Sequence, residues 1–353
     1  MEYWIKTASG TLKISEPELY VDNASRKRSG HMSHAMVEYQ PGKLLAFNSN
    51  CSAVRCNGHA AYGWIEYRRS EDYGEHWGEI QELPYAKQAF LDGLFTISVE
   101  KAVACEDGTI VAFALRNSPL RPHSCEPWQT PMVLRSTDAG TTWEEAYELS
   151  PWCGRVYDAI YHEGCIYVLE FCNDAEIAFT GNKPEHVYRL FRSDDSGKSF
   201  LELSVVDIES MGRGYGSMLF RPDGSLALYA YNISKEDALE MSVSYDKGKS
   251  WIRCPPCRAA KKIRNPQTAI LDGIYLLHGR AGGDLAGLVL YTSTDGLHWD
   301  DGTLIAEEKP CCYYSNNLVL RGKNGKSKML MQYSDTYAAA CVNVMHRWVE
   351  WVE

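Results

Sequence analysis

Residues 136–143 read STDAGTTW, and close relatives of this eight-residue phrase occur at four other places in the chain. The pattern is Ser-x-Asp-x-Gly-x-x-Trp or Phe, and the last copy is one residue shorter before its Trp. The other copies are SEDYGEHW at 70–77, SDDSGKSF at 193–200, SYDKGKSW at 244–251 and STDGLHW at 293–299. Matches at so many fixed positions indicate a chain built from repeated units.

Each copy ends a longer phrase made of β-type segments. Before the first copy the chain reads HAMVEYQPGKLLAFN at 34–48 and then GWIEYRRSEDYGEHW at 63–77. Apolar residues alternate with polar ones in these segments, and Pro-Gly, Asp-Gly or Glu-Gly separates them, which is typical of β-hairpins. The whole chain divides into six such units of about 50 to 65 residues, the sixth without a box.

Units of this length, each with about four antiparallel strands, are typical of β-propeller blades. No segment shows helical periodicity for more than about two turns. The sequence therefore predicts an all-β fold, with residues 1–353 forming a single six-bladed propeller domain. The blades are expected approximately at 30–85, 95–150, 154–207, 213–255, 263–306 and 312–353, with residues 1–29 completing a blade.

The chemistry of the repeated phrase is that of a tight turn. Ser and Asp side chains can hydrogen-bond the backbone of the turn, Gly permits a positive φ, and the aromatic ring can pack between sheets. We therefore interpret the box carboxylates as structural, and we do not count them among the catalytic candidates.

Composition excludes several classes of function. The 353-residue chain has a formal net charge of -10 and no compensating Lys/Arg cluster, which argues against nucleic acid as a partner. Neither a secretory signal nor a run of about 18 apolar residues is present, so we expect a cytoplasmic protein that does not enter the membrane. The 12 cysteines are expected to be reduced thiols, and the lone CxxC at 254–257 predicts neither a metal site nor a cofactor.

Polar residues are enriched where each inner strand is expected to begin. In a propeller these places converge on one face, and several arginines aimed at one cavity would repel each other unless an anion were bound. The pattern therefore predicts an anionic ligand at this face. The candidate substrate-binding residues from these places are His31, Glu100, Arg155, Tyr157, Arg213, Tyr215, Arg264 and Asn316.

The repeated phrase is the Asp-box, and five copies in a six-unit β chain resemble the sialidase superfamily. The resemblance covers nearly the whole chain from about residue 30. It implies a six-bladed propeller with an active site at the centre of one face. Glycosidases, polysaccharide lyases and noncatalytic proteins share the motif, so the resemblance implies the fold more strongly than the chemistry.

Compared residue by residue, the chain departs from true sialidases. Tyr314 fits the place of their nucleophilic tyrosine, and Arg280 fits one of their three carboxylate-binding arginines. The arginine expected at the opening of the first blade is missing, with Ser33 or His34 in its place. The glutamate expected at the start of the fourth blade is also missing, because residues 212–220 read GRGYGSMLF.

Histidines occupy the first blade, where the arginine is missing: His31 and His34 open its inner strand, and His59 follows in the loop NGHAAYGW. Imidazole can take or give a proton at neutral pH, so His34 and His59 are the predicted acid or base, with Tyr314 as nucleophile or proton carrier. This pattern resembles propeller enzymes that cleave rhamnose linked to glucuronate. For a carboxylate-based hydrolase, Glu100 and Asp158 are the inner-strand candidates.

The expected function is cleavage of a terminal glycosidic bond next to an acidic sugar, a uronate by preference, in an oligosaccharide partner. Elimination and hydrolysis both remain open at the level of sequence. An exo-sialidase with a tyrosine nucleophile and a noncatalytic glycan-binding propeller are the alternatives, and the oligomeric state is not predicted.

Overall fold

The computed structural model describes residues 1–30, 32, 34–52, 63–92, 96–117, 128–176, 178–305, 314–322, 325–336 and 341–352. Within these ranges the chain forms strands throughout, with one short helix, α1 (Pro84–Leu91). In chain order the strands are β1 (Tyr3–Thr7), β2 (Gly10–Ile14), β3 (Glu18–Val21), β4 (Arg28–Ser29), β5 (Met36–Gln40), β6 (Lys43–Ser52), β7 (Gly63–Ser70), β8 (Gln81–Glu82), β9 (Thr96–Ala104), β10 (Ile110–Asn117), β11 (Met132–Ser136), β12 (Tyr147–Glu148), β13 (Gly154–His162), β14 (Cys165–Cys172), β15 (Tyr188–Ser193), β16 (Leu201–Val205), β17 (Arg213–Phe220), β18 (Leu226–Asn232), β19 (Ala238–Ser244), β20 (Ile252–Arg258), β21 (Ile263–Leu271), β22 (Ile274–Ala281), β23 (Leu288–Ser293), β24 (Thr303–Ile305), β25 (Ser315–Arg321), β26 (Ser327–Ser334) and β27 (Val344–Val352).

These strands form six antiparallel sheets arranged around a central channel. Blades 2 to 5 are β9–β12, β13–β16, β17–β20 and β21–β24, each in chain order from the channel outward. Blade 1 contains β4 to β8, with β4 and β5 both paired to β6. The inner strands β5, β9, β13, β17, β21 and β25 contact one another in a closed ring. The predicted six-bladed β-propeller is confirmed.

Blade 6 is assembled from both ends of the chain. Its inner strands β25, β26 and β27 come from the C-terminal end, and β2, β1 and β3 from the N-terminal end complete the sheet. Thr11 to Ile14 pair with Val352 to Val349 in antiparallel register. The ring is therefore closed by backbone hydrogen bonds between the two ends of the chain.

Buried apolar side chains gather between neighbouring blades, with one cluster at each of the six contacts within the described structure. Between blades 4 and 5, for example, Leu239 and Met241 of β19 belong to the same cluster as Leu277 of β22 and Val289 of β23. Each sheet is thus apolar on both faces, because both faces are covered by a neighbouring blade.

The Asp-boxes form the turns after the third strand of blades 1 to 5. In the second box Ser136 Oγ donates to Asp138 Oδ1 at 2.9 Å and accepts from the backbone N–H of Gly140 at 2.8 Å. Asp138 Oδ1 also accepts from Thr142 N at 2.8 Å, and Gly140 has a φ of +72°. Hydrogen bonds from Thr142 lower the pKa of Asp138 to about 2. This carboxylate is therefore an acceptor for hydrogen bonds within its own turn.

Four of the boxes are also bonded to the preceding blade through a glycine carbonyl. Tyr67 Oη of blade 1 donates to the carbonyl oxygen of Gly140 at 2.9 Å, and Tyr229 Oη of blade 4 donates to that of Gly296 at 2.7 Å. Tyr147 and Ser204 make the corresponding bonds to the boxes of blades 3 and 4. The box therefore joins neighbouring blades as well as turning the chain, a role that the sequence pattern did not predict.

The described part of the chain contains no helix that is long and apolar enough to cross a membrane. Over the same residues, no cluster of three or more His, Cys, Asp or Glu side chains is placed to hold a metal ion. The cysteines described there are unbonded thiols.

Candidate functional site

A small polar cavity lies at the end of the channel where the inner strands begin. Seven of its lining residues were predicted from the sequence, and four were not. The lining residues are His34, Glu100, Lys101, Arg155, Tyr157, Tyr215, Asn265, Gln267, Tyr314, Ser315 and Asn316. They come from blades 1 to 6, so the cavity occupies the centre of one face of the propeller.

Four of these residues reach the cavity because the inner strands of blades 2 to 5 carry a β-bulge in their first half. The bulge adds one residue to the inner strand relative to its neighbour, which turns a side chain out of the regular alternation. The residues at these bulges are Glu100, Tyr157, Tyr215 and, next to Pro266, Asn265. The same irregularity thus supplies one cavity side chain from each of four blades.

Tyr215 adopts a backbone conformation that is rare for an aromatic residue, with a φ of +47°. Its two neighbours are glycines for steric reasons. A Cβ atom at Gly214 would lie 2.2 Å from the carbonyl oxygen of Phe179, and one at Gly216 would lie 2.6 Å from Leu169 Cδ2. Backbone strain of this kind persists at sites where it positions a functional group.

Arg155 lies at the bottom of the cavity, with only 1% of its surface exposed. One guanidinium nitrogen donates to Glu100 Oε2 at 2.7 Å. The guanidinium carbon lies 5.2 to 5.8 Å from the centres of four aromatic rings, those of Trp128, Tyr157, Tyr215 and Tyr314. Burial lowers the pKa of Arg155, but attraction by Glu100 together with the tyrosines of the cavity outweighs burial and holds the pKa well above its ordinary value. The group is a permanent cation in an aromatic cage.

The hydroxyls of Tyr215 and Tyr314 lie 3.2 Å apart, within hydrogen-bond distance. Tyr314 precedes β25 in blade 6, and Tyr215 lies near the start of β17 in blade 4. The resemblance to sialidases implies a glutamate at the start of the fourth blade, next to the catalytic tyrosine. In this chain the residue that reaches the tyrosine from the fourth blade is Tyr215.

A layer of hydrogen bonds closes the cavity from below. Lys101 Nζ donates to Gln267 Oε1 at 2.6 Å and to Asn316 Oδ1 at 2.8 Å, and it lies 3.2 Å from Asp158 Oδ1. Asp158 accepts two further hydrogen bonds from blade 4. Below this layer the channel continues as a wider chamber of about 500 Å³ with mostly apolar walls. Asp158 is therefore part of the floor and does not line the cavity.

A second group of buried polar side chains supports Ser315. His278 Nδ1 lies 3.2 Å from Ser315 Oγ, and His278 Nε2 lies 2.9 Å from Asn317 Nδ2. The amide nitrogen, which also donates to the carbonyl of Thr268 at 3.3 Å, can only donate. Nε2 is thus the acceptor, and Nδ1 carries the hydrogen. Burial, with a smaller effect of Lys101, lowers the pKa of His278 to about 3.

This chain of side chains has the composition of a nucleophile–base pair but the wrong tautomer for that chemistry. With its hydrogen on Nδ1, His278 donates to Ser315 and cannot accept the hydroxyl proton. No sequence pattern singles out His278, because a lone histidine in the apolar strand IYLLHGRA is typical of a core residue.

Three arginines predicted to bind a carboxylate do not line the cavity. Arg213 donates to Glu240 Oε1 at 2.6 Å, and Arg264 pairs with Glu236. Arg280 lies opposite Arg264 in the ladder between β21 and β22. With Arg155 paired to Glu100, the positive charges that suggested an anion are largely balanced by carboxylates. The predicted His31 and His59 lie outside the described residues, and the roles assigned to all five stay predictions.

Together the ring of blades, the boxes and the central polar cavity define an Asp-box propeller. The chain belongs to the BNR repeat-like domain family, whose family model matches residues 4–255. No curated protein matches the chain.

Solved structures share the fold at low identity. A protein of unknown function from Dyadobacter fermentans is 16% identical with a TM-score of 0.74, covering 97% of this chain and 99% of its own. The Hadza microbial sialidase Hz136 is 17% identical with a TM-score of 0.63, covering 92% and 66%. Trypanosoma rangeli sialidase, solved as a covalent intermediate with 2,3-difluorosialic acid, is 11% identical with a TM-score of 0.61, covering 90% and 53%. The chain thus spans about half to two thirds of these sialidases, and the likeness concerns the fold.

Proposed function

We propose that the protein cleaves a glycosidic bond at the end of a glycan, next to an acidic sugar for which a uronate is favoured. The observation that carries the proposal is Arg155, a buried cation at the bottom of the cavity. The cavity beside it has a water-accessible volume of about 30 Å³, which is room for a carboxylate or a water but not for a sugar ring. The ring would bind above, with its carboxylate directed down to the guanidinium.

The buried charges at the cavity are already balanced, and this affects how an acidic ligand can bind. Arg155 is paired with Glu100, and Lys101 is paired with Asp158. An added carboxylate would leave one buried negative charge without a partner, which is costly. We therefore expect binding of glucuronate to take up about one proton. Calorimetric titration in two buffers with different ionisation enthalpies measures this number, and zero uptake would contradict the expected arrangement.

The reacting groups in this proposal are Tyr314 and His34. Among the described residues that line the cavity, the one carboxylate is Glu100, so a flanking pair of carboxylates is not available there. Negative charge that develops on Tyr314 Oη would be stabilised by Arg155, whose guanidinium lies 5.2 Å from the ring centre. Elimination would move a proton from the carbon next to the carboxylate to the departing oxygen. Hydrolysis would add water.

An exo-sialidase is the second candidate. Tyr314 occupies the opening of blade 6, as the resemblance requires for a nucleophile. The Tyr215 hydroxyl in place of a carboxylate weighs against it, because a neutral phenol is a poor base for a second phenol.

The deciding experiment is incubation with uronate-capped and sialylated oligosaccharides, followed by mass spectrometry and ultraviolet absorbance. A product pair without added water, one member unsaturated, identifies elimination, and added water identifies hydrolysis. Tyr314→Phe and His34→Ala should each lower turnover by about 10²- to 10⁴-fold. Tyr245→Phe, at an exposed turn position, is the matched control and should be unaffected. Binding without any turnover would instead identify a noncatalytic glycan-binding propeller.

A further inference from the structure

We propose that Ser315 is a specificity-determining hydrogen-bond donor of the central cavity, which recognises an oxygen acceptor on the bound sugar. This inference rests on the proposed function, because it assigns a role in the same cavity. It concerns a residue that the sequence analysis did not select.

Ser315 is nearly buried, with 7% of its surface exposed, and it lines the cavity beside Tyr314. In the described structure its hydroxyl has one hydrogen-bond partner, His278 Nδ1, at 3.2 Å. A hydroxyl can donate once and accept twice. Since the donor role is not used toward any described side chain or carbonyl, the hydrogen is available to a ligand in the cavity.

The direction of that hydrogen follows from the tautomer of His278. The Nδ1–H group occupies one lone pair of Ser315 Oγ, so the serine hydrogen cannot point at His278. Asn317 enforces this tautomer by donating to Nε2 at 2.9 Å. A serine beside an unprotonated Nδ1 would donate its hydrogen to the ring, whereas the hydrogen of Ser315 stays available for an acceptor in the cavity.

The backbone keeps the three groups in place. Ser315 and Asn317 are two residues apart on β25 and therefore share a face of the strand. His278 comes from β22 of blade 5 and is fully buried, so its ring lies between the two side chains with no access to water. Because the ring is neutral at all but strongly acidic pH, the donor direction is constant over the working range of the protein.

The ligand group that fits this donor is a hydroxyl oxygen of the sugar, which has available lone pairs, because the carboxylate is assigned to Arg155. Ser315 thus adds a neutral contact next to the cationic contact of Arg155.

The binding test uses methyl glycosides of glucuronate, N-acetylneuraminate and glucose, measured by calorimetry with the full chain. Ser315→Ala should weaken the tightest of these ligands by about three- to tenfold, the effect of one neutral hydrogen bond. Among monodeoxy analogues of that ligand, the one lacking the acceptor should bind wild type and Ser315→Ala equally. Ser242→Ala, a buried serine on β19 outside the cavity, is the control and should keep wild-type affinity.

The second test is independent of any ligand. Nitrogen NMR shifts of His278 should show a protonated Nδ1 and an unprotonated Nε2. Asn317→Asp should reverse the tautomer, because its carboxylate accepts from Nε2–H, and ligand affinity should then fall as it does in Ser315→Ala.

Three results would overturn the inference: a hydrogen on Nε2 in the wild type, an equal loss for every analogue in Ser315→Ala, or no loss at all. If no glycoside binds, the proposed function fails and the ligand role of Ser315 falls with it. The NMR result then still shows whether the hydroxyl direction was correctly inferred.

Discussion

Glu170 is a carboxylic acid buried between blades 2 and 3, with no exposed surface. Ser150 Oγ donates to its Oε2 at 2.8 Å, while Oε1 has no hydrogen-bond partner among the described residues. Burial raises the pKa of Glu170 from its ordinary value near 4.5 to about 8. The group is therefore mostly protonated at neutral pH in the folded protein, although it lies outside the central cavity.

The raised pKa of Glu170 predicts a loss of stability with rising pH. Between about pH 4.5 and about pH 8 the unfolded chain releases this proton while the folded chain keeps it, so the free energy of unfolding falls over that range. Glu170→Gln should remove this contribution and become more stable relative to wild type by about 1 to 3 kcal/mol as pH rises from about 5 to about 8. Urea denaturation at several pH values measures the difference, and a constant difference would contradict the prediction.

The lowered pKa of His346 predicts the opposite pH dependence, a loss of stability as pH falls. Burial, followed by the charge of Arg68, lowers its pKa to about 3. Its Nε2 donates to Gln332 Oε1 at 2.8 Å. As pH falls from about 6.5 to about 3, the unfolded chain binds a proton that the folded ring refuses, and stability is lost.

His346→Gln should therefore lose less stability than wild type when pH is lowered from about 7 to about 5, whatever its stability at pH 7. Denaturation curves at both pH values give the comparison. Parallel losses in the two proteins would mean that the ring of His346 can be protonated in the folded state.

At the scale of the element, the Asp-box is a joint between blades as well as a turn. Tyr67→Phe removes the bond from blade 1 to the carbonyl of Gly140 without changing the shape of the side chain, and it leaves a buried acceptor unpaired. We expect a loss of about 1 to 2 kcal/mol in the free energy of unfolding, with unchanged ligand binding in the central cavity. Tyr245→Phe is again the control, because Tyr245 is exposed. Equal melting temperatures for all three proteins would show that the joint does not contribute.

The repeated turn made the blades predictable, whereas the bulges were not. In a strand with regular alternation, the apolar positions of the sequence identify the buried face. One extra residue at a bulge reverses which of the preceding side chains lie on that face. Tyr215 illustrates this, because GRGYGSMLF gives no sign that its tyrosine reaches Tyr314.

The salt-bridge partners of the predicted arginines could not be predicted from the sequence either. Arg213 and Arg264 are paired with Glu240 and Glu236, which lie 27 and 28 residues away in the chain. The sequence predicted these arginines at the starts of inner strands, but it could not show that carboxylates on β19 and in the turn before β19 bind them.

At the scale of the whole molecule, stability depends on the joining of the two chain ends in blade 6. Leu12 on β2 is fully buried in the cluster between blades 5 and 6. Leu12→Ala should lower the free energy of unfolding by about 2 to 5 kcal/mol, as expected for a core leucine. Denaturation measures this value. A loss below about 1 kcal/mol would mean that the N-terminal strands contribute little to closure.

The bulges in blades 2 to 5 divide each inner strand into a part that is constrained by packing and a position that faces the cavity. Past the bulge, each inner strand must keep the alternation that fills the space between blades, so its residues are constrained by packing. At the bulge itself the side chain lines the cavity, and the residues at the four positions are Glu100, Tyr157, Tyr215 and Asn265. A descendant of this chain could exchange an acid, a phenol or an amide at these places and acquire a different substrate while keeping the same six-bladed propeller. Variation of chemistry on a constant scaffold is thereby built into the backbone.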